Sequence, residues 1–125
     1  MKTSNKQFAR QILNKEISAL RRTAKLINND FDEACQILSN INGKVVTLGM
    51  GKSSFVAMKM AATLSSTGTS ALFLHPADAL HGDIGVIKKN DTVIIYSNSG
   101  ETEEIIKLLP VLKICLLYTS DAADE

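Results

Sequence analysis

Three short apolar runs, each followed by a turn, constrain the fold of this chain more than any other feature. The runs are Lys44–Leu48, Ala71–Leu74 and Thr92–Tyr96. Their β-branched and aliphatic content is typical of strands, and apolar residues at helical spacing follow in 56–64 and 105–112. Strands that alternate with helices pair in parallel through right-handed crossovers. The sequence therefore predicts an α/β fold, an open parallel sheet with helices on both faces.

A long amphipathic helix precedes the first predicted strand. Between Phe8 and Phe31 apolar residues recur three and four positions apart, which places them in one stripe along a helix. The stripe packs either on the domain or on a second subunit, because such a seam also pairs helices between chains. Asp30 and Glu33 have the spacing of a capping box, which predicts that a short second helix begins there.

Composition excludes several classes of protein. The chain has 125 residues, of which 45% are hydrophobic and 22% charged, so we expect one globular domain. A formal net charge of +1 provides no field that would attract nucleic acid or a membrane surface. The polar amino terminus lacks a signal core and predicts a cytoplasmic protein. Cys35 and Cys115 lack the spacing of a disulfide framework or a zinc knuckle.

The turn after the third run has the composition of an anion site. It reads Ser97, Asn98, Ser99, Gly100, Glu101, Thr102. The free backbone N–H groups and the dipole at a helix start attract an anion. Helix capping is the alternative explanation, since serine, asparagine and threonine also cap helices for local reasons. Because one cap needs one hydroxyl, the three hydroxyls favour phosphate as the ligand.

The glycine turn after the first run, Gly49–Ser54, resembles two nucleotide-binding loops and matches neither. A dinucleotide fingerprint needs glycine where Ser54 stands and an acid where His75 follows the second run. A Walker A loop needs glycine at Val46. What remains is a glycine turn with Lys52 at its tip, at the sheet edge where ligands bind. The alternative for Lys52 is a solvated lysine.

Histidine and glutamate side chains supply candidates for acid–base chemistry. His75 and His81, the two histidines of the chain, fall in one loop after the second run, which favours a functional role over a purely structural one. Glu101, Glu103 and Glu104 stand at the start of the last predicted helix. The helix dipole stabilises carboxylates there without any chemistry, so each one singly has a structural explanation.

Three motifs follow in order: GMGKS at 49–53, HPADALHGD at 75–83 and SNSGETEEI at 97–105. Together they closely resemble the sugar isomerase (SIS) domain of the arabinose 5-phosphate isomerase family, and the resemblance runs from Phe8 to Lys113. It implies a flavodoxin-like three-layer sandwich. It also implies an enzyme that interconverts D-arabinose 5-phosphate and D-ribulose 5-phosphate through an enediol, in the synthesis of Kdo for lipopolysaccharide or capsule. Full-length members are tetramers, so a homo-oligomer is expected.

The resemblance also assigns roles residue by residue. The implied catalytic residues are Lys52, His81 and Glu104. The implied substrate- and phosphate-binding residues are Gly49, Gly51, Ser53, Gly68, Thr69, His75, Ser97, Asn98, Ser99, Gly100, Glu101 and Thr102. His75 is also an implied ligand of an inhibitory zinc ion. No cofactor is implied, and the expected partner is a sugar phosphate.

The chain departs from the family after Lys113. We predict an SIS domain over residues 1–113 and a foreign tail over residues 114–125, as in a truncated reading frame, with Ile114–Tyr118 forming a strand. The further strands, the later catalytic histidine and the CBS domains of the family do not follow. Two alternatives to an enzyme therefore stay open, a sugar-phosphate sensor without catalysis and an interaction fragment.

Overall fold

The structure is a computed structural model that describes residues 4–116. The chain divides into two compact units, one ending at Ser39 and the other beginning at Asn40. The first contains the helices α1 (Asn5–Leu26) and α2 (Asn29–Ser39). The second contains, in order, β1 (Val45–Gly49), α3 (Lys52–Ser66), β2 (Ala71–Phe73), α4 (Pro76–Leu80), a 3₁₀ helix (Asp83–Val86), β3 (Thr92–Tyr96) and α5 (Glu103–Leu116).

The amino-terminal apolar stripe is divided between two helices. α1 begins in a capping box, in which Ser4 Oγ accepts the Gln7 N–H and the Gln7 side chain accepts the Ser4 N–H. The helix ends at Leu26, because Ile27 has extended backbone angles (φ −64°, ψ 122°). The single helix predicted to reach Phe31 is therefore wrong, although its amphipathic character over α1 is confirmed.

The cap of α2 also differs from the predicted one. The side-chain oxygen of Asn28 accepts the Asp30 N–H at 3.0 Å, and the Asn28 amide donates to the Asp30 carboxylate at 3.2 Å. Asparagine is among the best N-cap residues, and here it satisfies the helix start before Asp30 is reached. The short second helix is confirmed, but it begins at Asn29 and not with a capping box at Asp30.

The three strands form one parallel sheet in the order β2-β1-β3, which confirms the predicted pairing. Val45 at the start of β1 pairs with Ala71 in β2 and with Thr92 in β3, so the strands begin at the same level. The central strand β1 is buried along its whole length, while β2 and β3 are half-buried. All three strands therefore end towards the same edge of the sheet.

Helices cover both faces of this sheet, as predicted. Because successive strand residues point to opposite faces, Thr47 faces α3 and donates to the Ala57 carbonyl at 2.7 Å. Val46 and Leu48 face the other way and form a buried core with Leu108 of α5. The same core includes Leu74, Ala79, Ile87 and Leu112. α3 thus lies on one face, and α4 and α5 on the other.

The last helix is longer than predicted. α5 continues to Leu116, so the strand predicted from Ile114 is wrong for 114–116. No glycine or asparagine occurs between Glu103 and Leu116, and without such a stop signal the helix continues past Pro110 to Leu116. The rest of that predicted strand and of the predicted tail, residues 117–125, lies outside the described residues. No helix in the described part of the chain is long and apolar enough to cross a membrane.

A buried ion pair joins the strands at the amino edge of the sheet. The Asp91 carboxylate, 4% exposed, pairs with the Lys44 ammonium and also accepts the backbone N–H groups of Lys44 at 2.9 Å and Lys88 at 2.7 Å. The Lys44 ammonium donates to the Val86 carbonyl at 2.8 Å. Burial raises the pKa of Asp91, but these hydrogen bonds and the Lys44 charge outweigh it, so the pKa lies below its ordinary value. This cluster closes the edge opposite the predicted ligand turns.

Candidate functional site

The predicted ligand turns lie together at the carboxyl edge of the sheet. Gly49, the last residue of β1, pairs with Tyr96, the last residue of β3. The glycine turn and the serine turn (Ser97–Thr102) therefore leave the sheet at the same level on neighbouring strands, which lie about 4.8 Å apart. Ligands of open parallel sheets bind beyond this edge.

Gly49 and Gly51 shape the glycine turn for different reasons. A Cβ on Gly49 would lie 2.6 Å from the Ser53 backbone oxygen, so α3 approaches the end of β1 closely only because residue 49 has no side chain. Gly51 has φ +55°, a backbone conformation that residues with a side chain rarely adopt. Gly49 is buried. In this structure Gly49 allows close packing of α3 against the end of β1, and its contact with substrate stays a prediction.

Two buried hydroxyls, which the sequence reasoning missed, hold α3 in place. Thr47 is fully buried and donates to the Ala57 carbonyl, while Ser54 is 7% exposed and donates to the Gly51 carbonyl. The sequence signal for the Thr47 bond is a threonine within an apolar strand, since a buried hydroxyl needs a hydrogen-bond partner. These bonds fix where α3 begins, and with it the position of Lys52.

Lys52 and Ser53 open α3 at the site edge. Lys52 is the first residue of the helix and is exposed, and Ser53 is half-buried. Lys52 has no ion-pair partner among residues 4–116. Its ammonium is therefore available to an anionic ligand at the strand ends.

The hydroxyls of the serine turn make local hydrogen bonds. Ser97 Oγ accepts the Gly100 N–H at 2.9 Å, and Ser99 Oγ accepts the Glu101 N–H at 3.1 Å. The Ser97 and Thr102 hydroxyls are 3.4 Å apart. A hydroxyl that accepts a backbone N–H still has its own proton to donate. Local capping and anion binding, which were alternatives from the sequence, are thus compatible.

The same turn also offers backbone donors. The N–H groups of Asn98, Ser99 and Thr102 find no acceptor within residues 4–116. They stand just before α5, whose amino end carries a partial positive charge. Hydroxyl protons, free N–H groups and a helix dipole thus occur together in one turn, and this combination suits a phosphate.

Burial and pairing distinguish the three glutamates. Glu104 is half-buried, whereas Glu101 and Glu103 are exposed. The Lys107 ammonium lies 2.6 Å from the Glu103 carboxylate, and its hydrogen bond holds the pKa of Glu103 below the ordinary value. Of the three, Glu104 alone is half-buried, and its role as a base stays a prediction.

The two histidines cap opposite ends of α4. His75 follows β2 and is the N-cap, with Nδ1 accepting the Ala77 N–H at 3.2 Å. The Phe73 ring meets the His75 ring edge-on, with 6.3 Å between centroids and an interplanar angle of 86°. His81 is the C-cap and is exposed. The structure thus places His75 at the strand ends and His81 one short helix away.

Gly68 and Thr69 lie at the opposite edge of the sheet. α3 runs back along the sheet and ends where β2 begins, and the Val45 N–H donates to the Ser70 carbonyl at 2.9 Å beside the start of β1. Thr69 N–H donates to the Leu64 carbonyl and closes the end of α3. Within one chain these two residues do not join the other predicted site residues, so their contact with substrate stays a prediction.

The chain resembles a known protein family and several curated proteins. The model of the SIS domain matches residues 37–114. The arabinose 5-phosphate isomerases KdsD of Yersinia pestis and Pseudomonas aeruginosa are each 49% identical to the chain, over 107 and 105 residues. These matches cover 86% and 84% of this chain but 33% and 32% of those proteins. The chain thus spans about a third of the length of its curated relatives.

Solved structures share the fold. A protein of Escherichia coli CFT073, solved in complex with arabinose 5-phosphate, has a TM-score of 0.83 and 40% identity, covering 90% of this chain and 62% of that one. A Bacteroides fragilis protein, described as a candidate phosphosugar isomerase involved in capsule formation, has a TM-score of 0.68 and 33% identity, covering 82% and 58%. The likeness confirms the predicted fold class.

Proposed function

This chain belongs to the SIS domain family, and on that premise we propose that it is part of an isomerase that interconverts D-arabinose 5-phosphate and D-ribulose 5-phosphate. The observation that carries the proposal is the likeness, in fold and sequence, to a protein solved in complex with arabinose 5-phosphate. The curated relatives that are named arabinose 5-phosphate isomerase support the same reaction.

The reaction needs few chemical groups. A base removes the proton from C2 of the aldose, a donor stabilises the oxygen of the enediolate, and a proton is returned to C1. The half-buried Glu104 is the proposed base, and Lys52 is the proposed partner of the oxyanion. His81 is proposed to open or orient the sugar.

The serine turn holds the phosphate in this proposal. A phosphate bound to the hydroxyls and N–H groups before α5 would anchor one end of the substrate and so position its reacting carbons. The turn alone would also serve a sugar-phosphate sensor. Binding of phosphate and turnover are therefore tested separately.

Replacing Ser99 with Ala is expected to weaken binding of arabinose 5-phosphate by about 1–3 kcal/mol, because a buried phosphate oxygen loses its donor. Calorimetry on wild type and variant measures the loss. Ser66→Ala is the matched control, since Ser66 makes a local bond to Thr63 near the far end of α3. Melting temperatures of both variants separate loss of ligand contact from loss of the local bond to Glu101. Unchanged affinity in the Ser99 variant would contradict the proposal that the serine turn binds the phosphate.

We also propose that the stripe on α1 pairs with a second copy of the chain. No residue of α1 is buried, and Phe8, Leu13 and Leu20 are 58%, 62% and 69% exposed. Apolar residues at three and four spacing form the seam by which helices pair.

Leu13→Asp is expected to raise the dissociation concentration of the oligomer by about ten- to a hundredfold, because burial of a leucine contributes about 1.5–3 kcal/mol. Lys15→Asp, two residues along on another face, is the matched control. Sedimentation equilibrium measures both. A wild-type protein that is monomeric at micromolar concentration would contradict the proposed seam.

The proposed setting is the cytoplasmic synthesis of Kdo for lipopolysaccharide or capsule. The description of the Bacteroides fragilis neighbour supports the link to capsule. The two widely spaced cysteines, which lack the spacing of a disulfide framework, support a reducing compartment such as the cytoplasm.

A further inference from the structure

The segment between α4 and β3 has room to shift where it follows His81. Most of it is the 3₁₀ helix, in which Ile84 is half-buried, and Ile87 just after that helix is buried in the core. A Cβ added to Gly82 or Gly85 would meet no described atom within 4 Å. An open cleft of about 440 Å³ lies beside this stretch and is lined by Leu72, Leu74, Gly82, Asp83, Gly85 and Val86. Apart from the two isoleucines, packing therefore constrains the stretch weakly.

Two lysine ammonium groups bond the last carbonyls of the 3₁₀ helix. A short helix leaves its final carbonyl groups without partners inside the helix. Here the Lys88 ammonium donates to the Gly85 carbonyl and the Lys44 ammonium to the Val86 carbonyl, each at 2.8 Å. Lys88 is three residues from Gly85, so its bond is local. Lys44 stands just before β1, 42 residues away from Val86 along the chain, so its bond ties the 3₁₀ helix to the sheet.

Lys44 is itself held to the sheet by several contacts. Its ammonium pairs with the buried Asp91 carboxylate, and its N–H donates to the same carboxylate at 2.9 Å. Its carbonyl accepts the Thr92 N–H, the first of β3, at 3.0 Å. Both the backbone and the ammonium of Lys44 are thus fixed, and the Val86 carbonyl bonds to a group whose place is set by β1 and β3.

We propose that Lys44 is a positioning residue for His81, because its bond to the Val86 carbonyl fixes the segment that carries the His81 imidazole. This inference rests on the proposed function, in which His81 opens or orients the sugar. His81 ends α4 and lies two residues before the 3₁₀ helix. A four-residue 3₁₀ helix is about 8 Å long, so the end that Lys44 holds is close enough for its displacement to reach His81.

Hydrogen exchange measures this tie without any ligand. The Gly85 N–H donates to the Gly82 carbonyl and the Ile87 N–H to the Ile84 carbonyl, so both amides exchange when the 3₁₀ helix opens. In Lys44→Met, exchange in peptides that span 82–87 is expected to rise about ten- to a hundredfold, the range of a hydrogen bond from a charged donor. Asp91→Asn, which keeps the Lys44 ammonium, should raise it less. Unchanged exchange in Lys44→Met would overturn the inference and leave the proposed function intact.

Turnover separates the tie from the ion pair. In the protein at the full length of its curated relatives, Lys44→Met is expected to lower kcat for arabinose 5-phosphate about five- to fiftyfold, since a displacement of about 1 Å can cost up to about 10²-fold. Asp91→Asn breaks the same ion pair but leaves the bond to Val86, and should retain most of its turnover at a temperature where both variants are folded. Lys88→Met, which removes only the local bond, is the matched control and should also retain it.

A double-mutant cycle tests whether Lys44 acts through His81. If it does, Lys44→Met added to His81→Gln lowers kcat by less than about twofold further, whereas independent effects multiply. Multiplied losses, or equal losses in Lys44→Met and Asp91→Asn, would overturn the positioning role while the isomerase proposal stands. A wild-type protein that does not convert arabinose 5-phosphate would overturn both the proposed function and the role of Lys44 in it, and the exchange result would still show whether the tie exists.

Discussion

Glu104→Gln, in the protein at the full length of its curated relatives, is expected to lower isomerase turnover by about 10²–10⁴-fold, the usual contribution of a general base. Glutamine keeps the size of the side chain but cannot accept the C2 proton. In the proposed arrangement the serine turn holds the phosphate, so binding of inorganic phosphate should be retained. Conversion of arabinose 5-phosphate, followed by detection of the ketose, measures the loss, and ribulose 5-phosphate tests the reverse direction.

Lys52→Ala is expected to lower turnover by about 10²–10³-fold, since the enediolate would lose the cation that we propose as its partner. Matched controls lie on the same helices. Lys59 is exposed on α3 away from the site edge, and Glu103 is exposed and paired with Lys107. Lys59→Ala and Glu103→Gln should retain nearly full turnover.

Three outcomes would contradict these assignments. Wild-type turnover in the Glu104 variant would make Glu101 the candidate base. An equal loss in Glu103→Gln and Glu104→Gln would indicate damage to the start of α5 and not removal of a base. A wild-type protein that binds arabinose 5-phosphate and never converts it would favour the sensor.

Asp91→Asn is expected to lower the free energy of unfolding by about 2–4 kcal/mol. The Asp91 carboxylate is the acceptor for two backbone N–H groups and the Lys44 ammonium, and an amide cannot satisfy all of them. Removal of one partner also leaves the Lys44 charge, 21% exposed, without its counterion. Urea unfolding measures the difference in the free energy of unfolding. Glu103→Gln is the control, because it breaks the exposed Glu103–Lys107 pair and should change stability little.

The effect of Asp91 should depend on pH in a defined direction. Since its pKa is lower in the folded protein than in the unfolded one, the stabilisation is fully present above the unfolded pKa of about 3.9 and is lost as pH falls through the folded pKa. The difference in stability between wild type and Asp91→Asn should therefore shrink below about pH 4. A difference that stays constant down to about pH 2.5 would show that the Asp91 charge does not contribute.

Local patterns determined much of this protein. The β-branched run of β3 was predicted with its observed bounds, Thr92–Tyr96, because a strand of this kind is set by its own residues and the turns beside it. Alternation of strands and helices determined the parallel sheet with helices on both faces. The turns at Gly49–Ser54 and Ser97–Thr102 come to one edge because the ends of parallel strands must do so.

Boundaries between helices were less predictable from the sequence. The apolar stripe continues through Ile27 to Phe31 although α1 ends at Leu26. Periodicity does not show that Asn28 will cap the next helix. The predicted end of α5 at Lys113 is wrong for a different reason. An apolar run suits a helix or a strand, and the absence of a stop signal decides in favour of the helix.

Only the tertiary structure decided which residues meet across the fold. Lys44 and Asp91 are 47 positions apart and pair because β1 and β3 are neighbours. Gly68 and Thr69 lie far from the strand ends because α3 runs back along the sheet. The amino-terminal cap of α4 depends on His75 accepting the Ala77 N–H, a single hydrogen bond. Periodicity and composition report which face of an element is buried, whereas contacts of this kind depend on distances and directions that arise when the elements pack.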